Sequence, residues 1–258
     1  DAYDLDFSPS FNLTGGEPFQ RKDFLDIVAE TRSFGFDVFI LTNGILADSG
    51  VARRLADLGV KGIQVSIEGP EAIHNSIRGD GSFNSSARGI YNLLDSGLKV
   101  TLNATISAIN SGYFVDIVEL SSKIGVQRLG FSRLVPSGRG KMLSKNMLAG
   151  RDLGELYRKI FSLKPEGLEI VTGDPVAAQM AGEGVVDDKG DIAIGGCAAG
   201  ISGITILPDG TLLPCRRLNV PVGNIRTDSL REIWAVSPVI NALRDRTRYK
   251  GKCGKCNR

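Results

Sequence analysis

A carboxylate directly after two glycines is the first feature of this sequence that is suited to chemistry. Residues 11–18 read FNLTGGEP, so an apolar run stops at Gly15 and Gly16, where the backbone can approach a ligand with no Cβ in the way. Pro18 biases Glu17 toward an extended conformation. These residues predict a stiff strand end that presents an acid suited to holding an ammonium group. A tight turn with a solvated Glu17 fits the same residues.

A hydroxyl and a guanidinium form a second candidate group. Ser66 lies near the end of an apolar run, and Arg78 follows twelve residues later. A strand-end hydroxyl and a returning guanidinium can bind a carboxylate between them. Together with Glu17 on an ammonium, Ser66 and Arg78 describe a site for an amino-acid head group. For Arg78 alone the alternative is a solvated loop residue, and we interpret His74 as a packing or hydrogen-bonding residue near a helix start.

The four cysteines form a third candidate group, and all of them lie in the last quarter of the chain, at Cys197, Cys215, Cys253 and Cys256. Cys197 and Cys215 flank a predicted hairpin, while Cys253 and Cys256 have the two-residue gap that lets two thiolates bind one metal centre. Clustered cysteines in a cytosolic chain indicate metal binding more than disulfides. Zinc and an iron–sulfur cluster both accept four cysteines, so both remain open.

Alternating strands and helices must position these groups. Apolar runs that end in small or polar residues predict buried parallel strands, and the segments between them have helical spacing. The predicted strands begin at 11 and cover 37–44, 62–69, 100–106, 128–135 and 168–171; the predicted helices cover 22–34, 47–58, 84–96, 112–124 and 152–163. The carboxyl ends of such strands meet at one edge, where ligands bind in parallel α/β folds. A hairpin over 203–215 and a helix over 228–246 follow.

Composition narrows the function classes. The chain has 258 residues, 42% of them hydrophobic, and a formal net charge of +2, which does not favour a nucleic-acid partner. No apolar run approaches the roughly 18 residues that a membrane span needs, and no signal segment is recognisable, so the sequence predicts a cytoplasmic protein with no membrane partner. The single histidine excludes hydrolytic zinc sites built on several imidazoles.

The order of these motifs resembles that of a known enzyme family. The strand-end motifs TGGEP (14–18), TNG (42–44) and VSIEGP (65–70) with IRG (77–79) are similar to those of radical S-adenosylmethionine enzymes, and the cysteine-bearing end resembles their SPASM or twitch iron–sulfur extension. The resemblance implies a partial parallel (β/α)6 barrel of the TIM type, lacking its first βα unit, with a small C-terminal cysteine-bearing hairpin and helix. It places the partial barrel at 1–140, a linker with a helix and a strand at 141–195 and a truncated SPASM or twitch domain at 196–258.

The resemblance also implies roles for individual residues. Glu17 would bind the ammonium group of S-adenosylmethionine, and Ser66 with Arg78 would take its carboxylate. Gly15 and Gly16 would lie against the cofactor, with Asn43 near the same pocket. The four cysteines would ligate an auxiliary [4Fe-4S] cluster, Cys197, Cys215, Cys253 and Cys256. No residue is predicted as the catalytic acid or base, although Asp174 is noted as a candidate whose turn-forming role is the alternative.

One family motif is absent from this sequence. The Cys-x3-Cys-x2-Cys motif, which holds the radical-generating [4Fe-4S] cluster in the family, is missing, since no cysteine precedes Cys197. We expect the chain to be a fragment of a longer protein rather than a degenerate relative. On this interpretation the chain alone is catalytically inactive.

The tail around residues 223–256 is similar to the branch that includes haem-biosynthesis and mycofactocin-type maturases. That similarity implies a radical maturase whose full-length form generates a 5′-deoxyadenosyl radical to modify a precursor peptide or a tetrapyrrole. An electron donor such as flavodoxin or ferredoxin would be its partner. The alternative from another class is a non-catalytic α/β binding protein with a structural zinc ribbon held by the four cysteines.

Overall fold

The computed structural model describes residues 9–181 and 198–251. These two stretches belong to two separate compact units, and each is described by itself. The first unit contains Glu17, Asn43, Ser66 and Arg78, and the second contains Cys215.

The first unit is built on a six-stranded sheet in which every neighbouring pair is parallel. The strands lie in the order in which they occur along the chain. They are β1 (Ser10–Leu13), β2 (Asp37–Thr42), β3 (Gly62–Ser66), β4 (Val100–Ile106), β5 (Arg128–Arg133) and β6 (Glu169–Thr172). Because all neighbouring strands are parallel, all six carboxyl ends lie at one edge of the sheet.

Helices connect these strands. They are α1 (Phe24–Ser33), α2 (Ser49–Asp57), α3 (Glu71–Arg78), α4 (Ser82–Asp95), α5 (Phe114–Ile124), α6 (Gly150–Ser162) and α7 (Pro175–Ala181). Short 3-10 segments occupy Pro18–Gln20, Ser111–Tyr113 and Gly138–Asn146. The predicted α/β class with a parallel sheet is thus confirmed.

The core lies between the helices and one face of the sheet. In β4 the burial alternates, with Leu102 and Ala104 buried and Asn103 half-buried between them. The buried strand side chains pack with apolar helix residues such as Leu55 and Leu93 in one cluster. Buried apolar surface stabilises a fold by about 25 cal/mol per Å², so this large cluster is expected to contribute most to the stability of the unit.

The opposite face of the sheet is partly open and carries polar, charged and apolar side chains. A cleft of about 520 Å³ lies along it, and its lining includes Asn12, Gln64 and Asn103. Gly130 leaves room for Asn103, because a Cβ at Gly130 would lie 2.8 Å from Asn103 Oδ1. The alternation along strands such as β4 therefore separates an apolar face under the helices from a face of mixed chemistry beside open space.

One helix of the first unit was not predicted from the sequence. The helix α3 was not expected, because its eight residues are mostly polar. The helix predicted over 152–163 corresponds to α6 and the strand predicted over 168–171 to β6, which pairs with β5 from Arg128↔Glu169 to Phe131↔Thr172 and completes the sheet. They belong to the first compact unit because Tyr157 and Ile160 of α6 join its core.

The second unit has a small antiparallel sheet and two helices. Its strands are β7 (Thr205–Ile206), β8 (Thr211–Leu213) and β9 (Gly223–Asn224), and its helices are α8 (Leu230–Val236) and α9 (Pro238–Arg244). The β7–β8 hairpin agrees with the prediction, and β9 is an addition to it. The single helix predicted over 228–246 is wrong: Ser237 ends α8 and caps α9, and Pro238 occupies the first turn of α9.

A small core of Leu212, Ile233 and Ile240 holds the second unit together. Across both described stretches, no helix is long and apolar enough to cross a bilayer.

Candidate functional site

The end of β1 delivers Glu17 to the carboxyl edge of the sheet. Gly15 and Gly16 are exposed, and a Cβ added to either would meet no heavy atom within 4 Å. The fold itself therefore does not require glycine at these two positions. What glycine provides here is free space next to Glu17, as the sequence predicts for a backbone that a ligand approaches.

The Glu17 carboxylate is held by three donors of the protein. Oε1 accepts from Thr42 Oγ1 at 2.7 Å and from the Phe19 amide at 3.3 Å, and Oε2 accepts from the Asn43 amide at 2.8 Å. A carboxylate has about four acceptor sites, so Oε2 keeps one acceptor site beyond these contacts. The acid is therefore fixed in place and still able to accept one more donor.

Asn43 lies beside Glu17 and closes the turn after β2. Its Oδ1 accepts from the Ile45 amide at 2.9 Å, and its carbonyl oxygen accepts from Ser86 Oγ at 2.7 Å. Gly44 has a φ of +79° in this turn, which favours glycine. The Asn43 side chain thus shapes the turn, while its main-chain amide binds Glu17.

The next strand end combines Ser66, Glu68 and Arg78. Ser66 is half-buried at the last position of β3, and Arg78 is the last residue of α3. The Arg78 guanidinium binds Glu68 Oε1, with Nε at 3.0 Å and a second bond from Nη2. The side chain of Glu68 is 3% exposed and that of Arg78 is 29% exposed. Arg78 is therefore an ordered, paired residue at this edge and not a solvated loop arginine.

Glu68 also joins two strand ends. Its Oε2 accepts from the Thr105 amide at 2.8 Å, and its carbonyl oxygen accepts from Asn110 Nδ2 at 2.9 Å. Asn110 is fully buried and also donates to the carbonyl oxygen of Thr105 at 3.1 Å. The sequence analysis assigned no role to Glu68. The available signal was an acid ten residues before an arginine within one strand-end motif.

His74 lies behind this group as a neutral imidazole. It is completely buried, and burial together with the nearby Arg78 charge lowers the pKa of His74 from 6.5 to about 4. Its Nδ1 accepts from the Glu68 amide at 3.2 Å, so the proton lies on Nε2, which has no hydrogen-bond partner among the described residues. His74 therefore packs and accepts a hydrogen bond, as the sequence predicts.

A second buried carboxylate, Asp174, lies at the edge between β5 and β6. Its oxygens accept from Arg133 Nε at 3.0 Å, from Tyr157 Oη at 3.2 Å and from the Val176 amide at 2.8 Å. Burial raises the pKa of Asp174, but the Val176 and Arg133 amides, the Arg133 charge and the Tyr157 hydroxyl together leave it below its usual value. Asp174 is thus an ionised group that fixes a turn and the start of α7, which is the turn-forming role and not that of an acid or base.

Of the four cysteines, the described residues include Cys215, which lies just after β8. It is half-buried, and its Sγ accepts a weak hydrogen bond from the Arg217 amide at 3.5 Å. Cys197, Cys253 and Cys256 lie outside the described residues. Within the described residues, no three His, Cys, Asp or Glu side chains come together as a metal site. The cluster ligands therefore stay a prediction.

Two family models match the chain. Residues 2–120 match the radical SAM superfamily, and residues 197–257 match the iron–sulfur cluster-binding SPASM domain. The AdoMet-dependent heme synthase of Nitratidesulfovibrio vulgaris is 31% identical, with 96% of this chain and 71% of that protein covered. The mycofactocin maturase MftC of Mycobacterium tuberculosis is 29% identical, with 95% of this chain and 62% of that protein covered.

Among solved structures, Streptococcus suis SuiB bound to the precursor peptide SuiA has the same fold, with a TM-score of 0.77 at 17% identity. The match covers 94% of this chain and 57% of the SuiB chain. The family and the branch that the sequence analysis predicted are confirmed by these matches.

Proposed function

Because the chain belongs to the radical SAM superfamily, we propose that it acts as an S-adenosylmethionine-dependent maturase on a peptide or a tetrapyrrole. The family's cofactors are S-adenosylmethionine and [4Fe-4S] clusters, which together supply radical chemistry when bound. The chain covers 71% of a heme synthase relative and 57% of SuiB, so the activity of the whole protein is part of this proposal.

The observation that supports the proposal most directly is the hydrogen bonding of the Glu17 carboxylate. Three protein donors orient its carboxylate, and one acceptor site on Oε2 is left over for an ammonium group. Free space at Gly15 and Gly16 lets a ligand reach that site without a steric clash. The residues present therefore fit an amino-acid head group at this position.

We assign the opposite end of the same head group to Ser66 and Arg78. Both lie at the end of β3 or just beyond it, on the edge that also holds Glu17. The hydroxyl of Ser66 and the remaining N–H groups of Arg78 would donate to the cofactor's carboxylate. These residues would hold and orient the ligand.

Two substrate classes remain in the proposal, each supported by a relative. The heme synthase relatives favour a tetrapyrrole, and the likeness to mycofactocin maturase favours a precursor peptide. The auxiliary cluster on Cys197, Cys215, Cys253 and Cys256 is proposed from the SPASM match over 197–257. A flavodoxin or ferredoxin electron donor and a cytoplasmic location stay predictions.

Binding of S-adenosylmethionine to a Glu17→Gln variant tests the proposal. The protein is produced anaerobically from its whole gene, its clusters are reconstituted, and affinity is measured by calorimetry. The variant should bind at least about tenfold more weakly, because an amide replaces one charge-assisted acceptor with a donor.

The matched control is Glu119→Gln, the same change at an exposed position of α5, which should leave the affinity unchanged. No measurable binding to the unaltered reconstituted protein would refute the proposed function. Equal affinities of the Glu17 variant and the unaltered protein would refute the role of Glu17.

A further inference from the structure

We infer that Glu68 is a positioning residue, which orients the Arg78 guanidinium so that its outer edge faces the ligand carboxylate. The inference rests on the proposed function, since the ligand in question is S-adenosylmethionine. It concerns a residue that does not itself touch the ligand.

Glu68 is held in place by contacts that do not involve Arg78. Its side chain is 3% exposed, and its Oε2 is bound to the Thr105 amide at the end of β4. Its carbonyl oxygen is bound to Asn110, and its amide donates to His74. Glu68 is thus fixed by main chain and side chain to three neighbouring elements, and it provides a rigid support for the arginine.

Arg78 keeps N–H donors beyond those that bind Glu68. A guanidinium has five N–H groups, and Glu68 Oε1 takes those of Nε and one of Nη2. Both N–H groups of Nη1 and the outer one of Nη2 remain, and Nη1 has no partner among the described residues. These remaining groups form the edge that a second carboxylate can bind with two parallel hydrogen bonds.

The Glu68 carboxylate forms an ion pair with the Arg78 guanidinium. Glu68 lowers the net positive charge beside the ligand, so any gain that it gives to carboxylate binding comes from orienting Arg78 and not from charge. A buried ion pair is also weak support for stability, since desolvation offsets the attraction between its members. What the pair does provide is a fixed direction for the free edge, which selects a planar carboxylate by geometry.

The test compares two ligands that differ in the carboxylate. S-adenosylmethionine and its decarboxylated form share the adenosine, the sulfonium and the amino group. Their affinities are measured by calorimetry for the reconstituted protein produced from the whole gene, and for Glu68→Gln, Arg78→Lys and the double variant. Glu68→Gln should weaken S-adenosylmethionine by about tenfold to a hundredfold and leave the decarboxylated ligand unchanged. The double variant should lose no more than Arg78→Lys alone, because both changes remove one contact.

The matched control is Asp174→Asn, which alters another buried carboxylate paired with an arginine at the same edge of the sheet. It should leave the ratio of the two affinities as it is in the unaltered protein. If Glu68→Gln fails to fold, Glu68→Asp replaces it, since the shorter acid keeps the charge and withdraws the support.

Three results would overturn the inference. The first is an equal loss of both ligands in a folded Glu68 variant, which indicates a structural role. The second is full affinity for S-adenosylmethionine in the Glu68 variants beside a loss in Arg78→Lys, which leaves the proposed function intact. The third is no binding of either ligand to the unaltered protein, which refutes the proposed function as well.

Discussion

At the carboxyl edge, hydrogen bonds from other residues hold the charged side chains in place. Glu17 is bound by Thr42, Phe19 and Asn43, and Arg78 is bound by Glu68. Groups fixed in this way lose little conformational entropy when a ligand binds, because their orientation is already set. The site is therefore preorganised at the level of single residues.

His74 should make stability depend on pH. Its pKa is about 4 in the folded chain, because of burial and the Arg78 charge, and near 6.5 when unfolded. Below 6.5 the unfolded state binds a proton that the folded state does not, so stability falls as the pH drops from 6.5 toward 4 and is constant above this window. At about 1.4 kcal/mol per pKa unit, the loss reaches roughly 3 kcal/mol.

Urea unfolding at intervals between pH 4.5 and 7.5 measures this effect, with His74→Gln as the comparison. The amide oxygen of glutamine can still accept from the Glu68 amide but does not titrate in this range. Since His74 is the single histidine of the chain, the dependence should flatten in the variant. An unchanged slope in His74→Gln would assign the effect to carboxylates instead.

Sequence reasoning identified Glu17 and Arg78 but missed Glu68. Two glycines and a proline mark Glu17 locally, and the resemblance to a family marks Arg78. The burial of Glu68 depends on Thr105 and Asn110, which lie 37 and 42 residues further along the chain. A local pattern contains no information about such distant contacts, so a solvated and a buried acid look the same.

Among the secondary-structure elements, the strands were the best predicted. Both β2 and β4 appear as continuous apolar or alternating runs, because a buried strand needs apolar side chains wherever it is buried. The helix α3 is too short for a clear pattern, with Ile73 and Ile77 one turn apart, and it is also anchored by polar contacts such as that of Asn75 Oδ1 with the Phe83 amide at 2.9 Å. The break at Ser237 was also visible in the sequence as Ser-Pro, which typically starts a new helix.

The crossing of α4 over the turn after β2 should be intolerant of any side chain at Gly89. A Cβ there would overlap the carbonyl oxygen of Gly44, whose own position is set by the turn. We expect Gly89→Ala to lower the free energy of unfolding by about 1–3 kcal/mol or more, since the backbone of one element must move.

The control for this prediction is Gly154→Ala in the interior of α6. Its Cβ would meet no heavy atom closer than 3.9 Å, so the change should raise the free energy of unfolding by about 0.5–1 kcal/mol through the higher helix propensity of alanine. Denaturant unfolding of both variants measures the contrast. A Gly89 variant as stable as the unaltered chain would show that α4 can shift away from the turn.

At the scale of the whole molecule, two compact units carry different parts of the proposed chemistry. The first contains the residues assigned to S-adenosylmethionine, and the second contains Cys215 and the SPASM match. The order of motifs along the chain predicts the same distribution of cofactor-binding residues and cysteines. The substrate was not predictable, because the lining of the cleft mixes amides such as Asn103 with charged residues such as Lys61 and apolar ones such as Phe39, a combination that does not select a peptide or a ring.

Iron and zinc analysis of the reconstituted protein tests which metal the second unit binds. Cys215→Ala should lower the iron content of the anaerobically reconstituted protein, by up to about four irons for one [4Fe-4S] cluster, and reduce its visible charge-transfer absorbance. Ser202→Ala, a similarly small change in the same unit, should leave both unchanged. A colourless protein with stoichiometric zinc would favour the structural zinc ribbon instead.

The acids Glu17 and Glu68 share one feature: each accepts the main-chain amide of the following strand end, at Asn43 and Thr105 respectively. A main-chain amide is present whatever side chain the residue carries, except in proline. The two donors therefore persist after any substitution at positions 43 and 105, other than proline, that keeps the local backbone in place. Side chains around the ligand can then be exchanged by mutagenesis without removing the amides that orient the two acids.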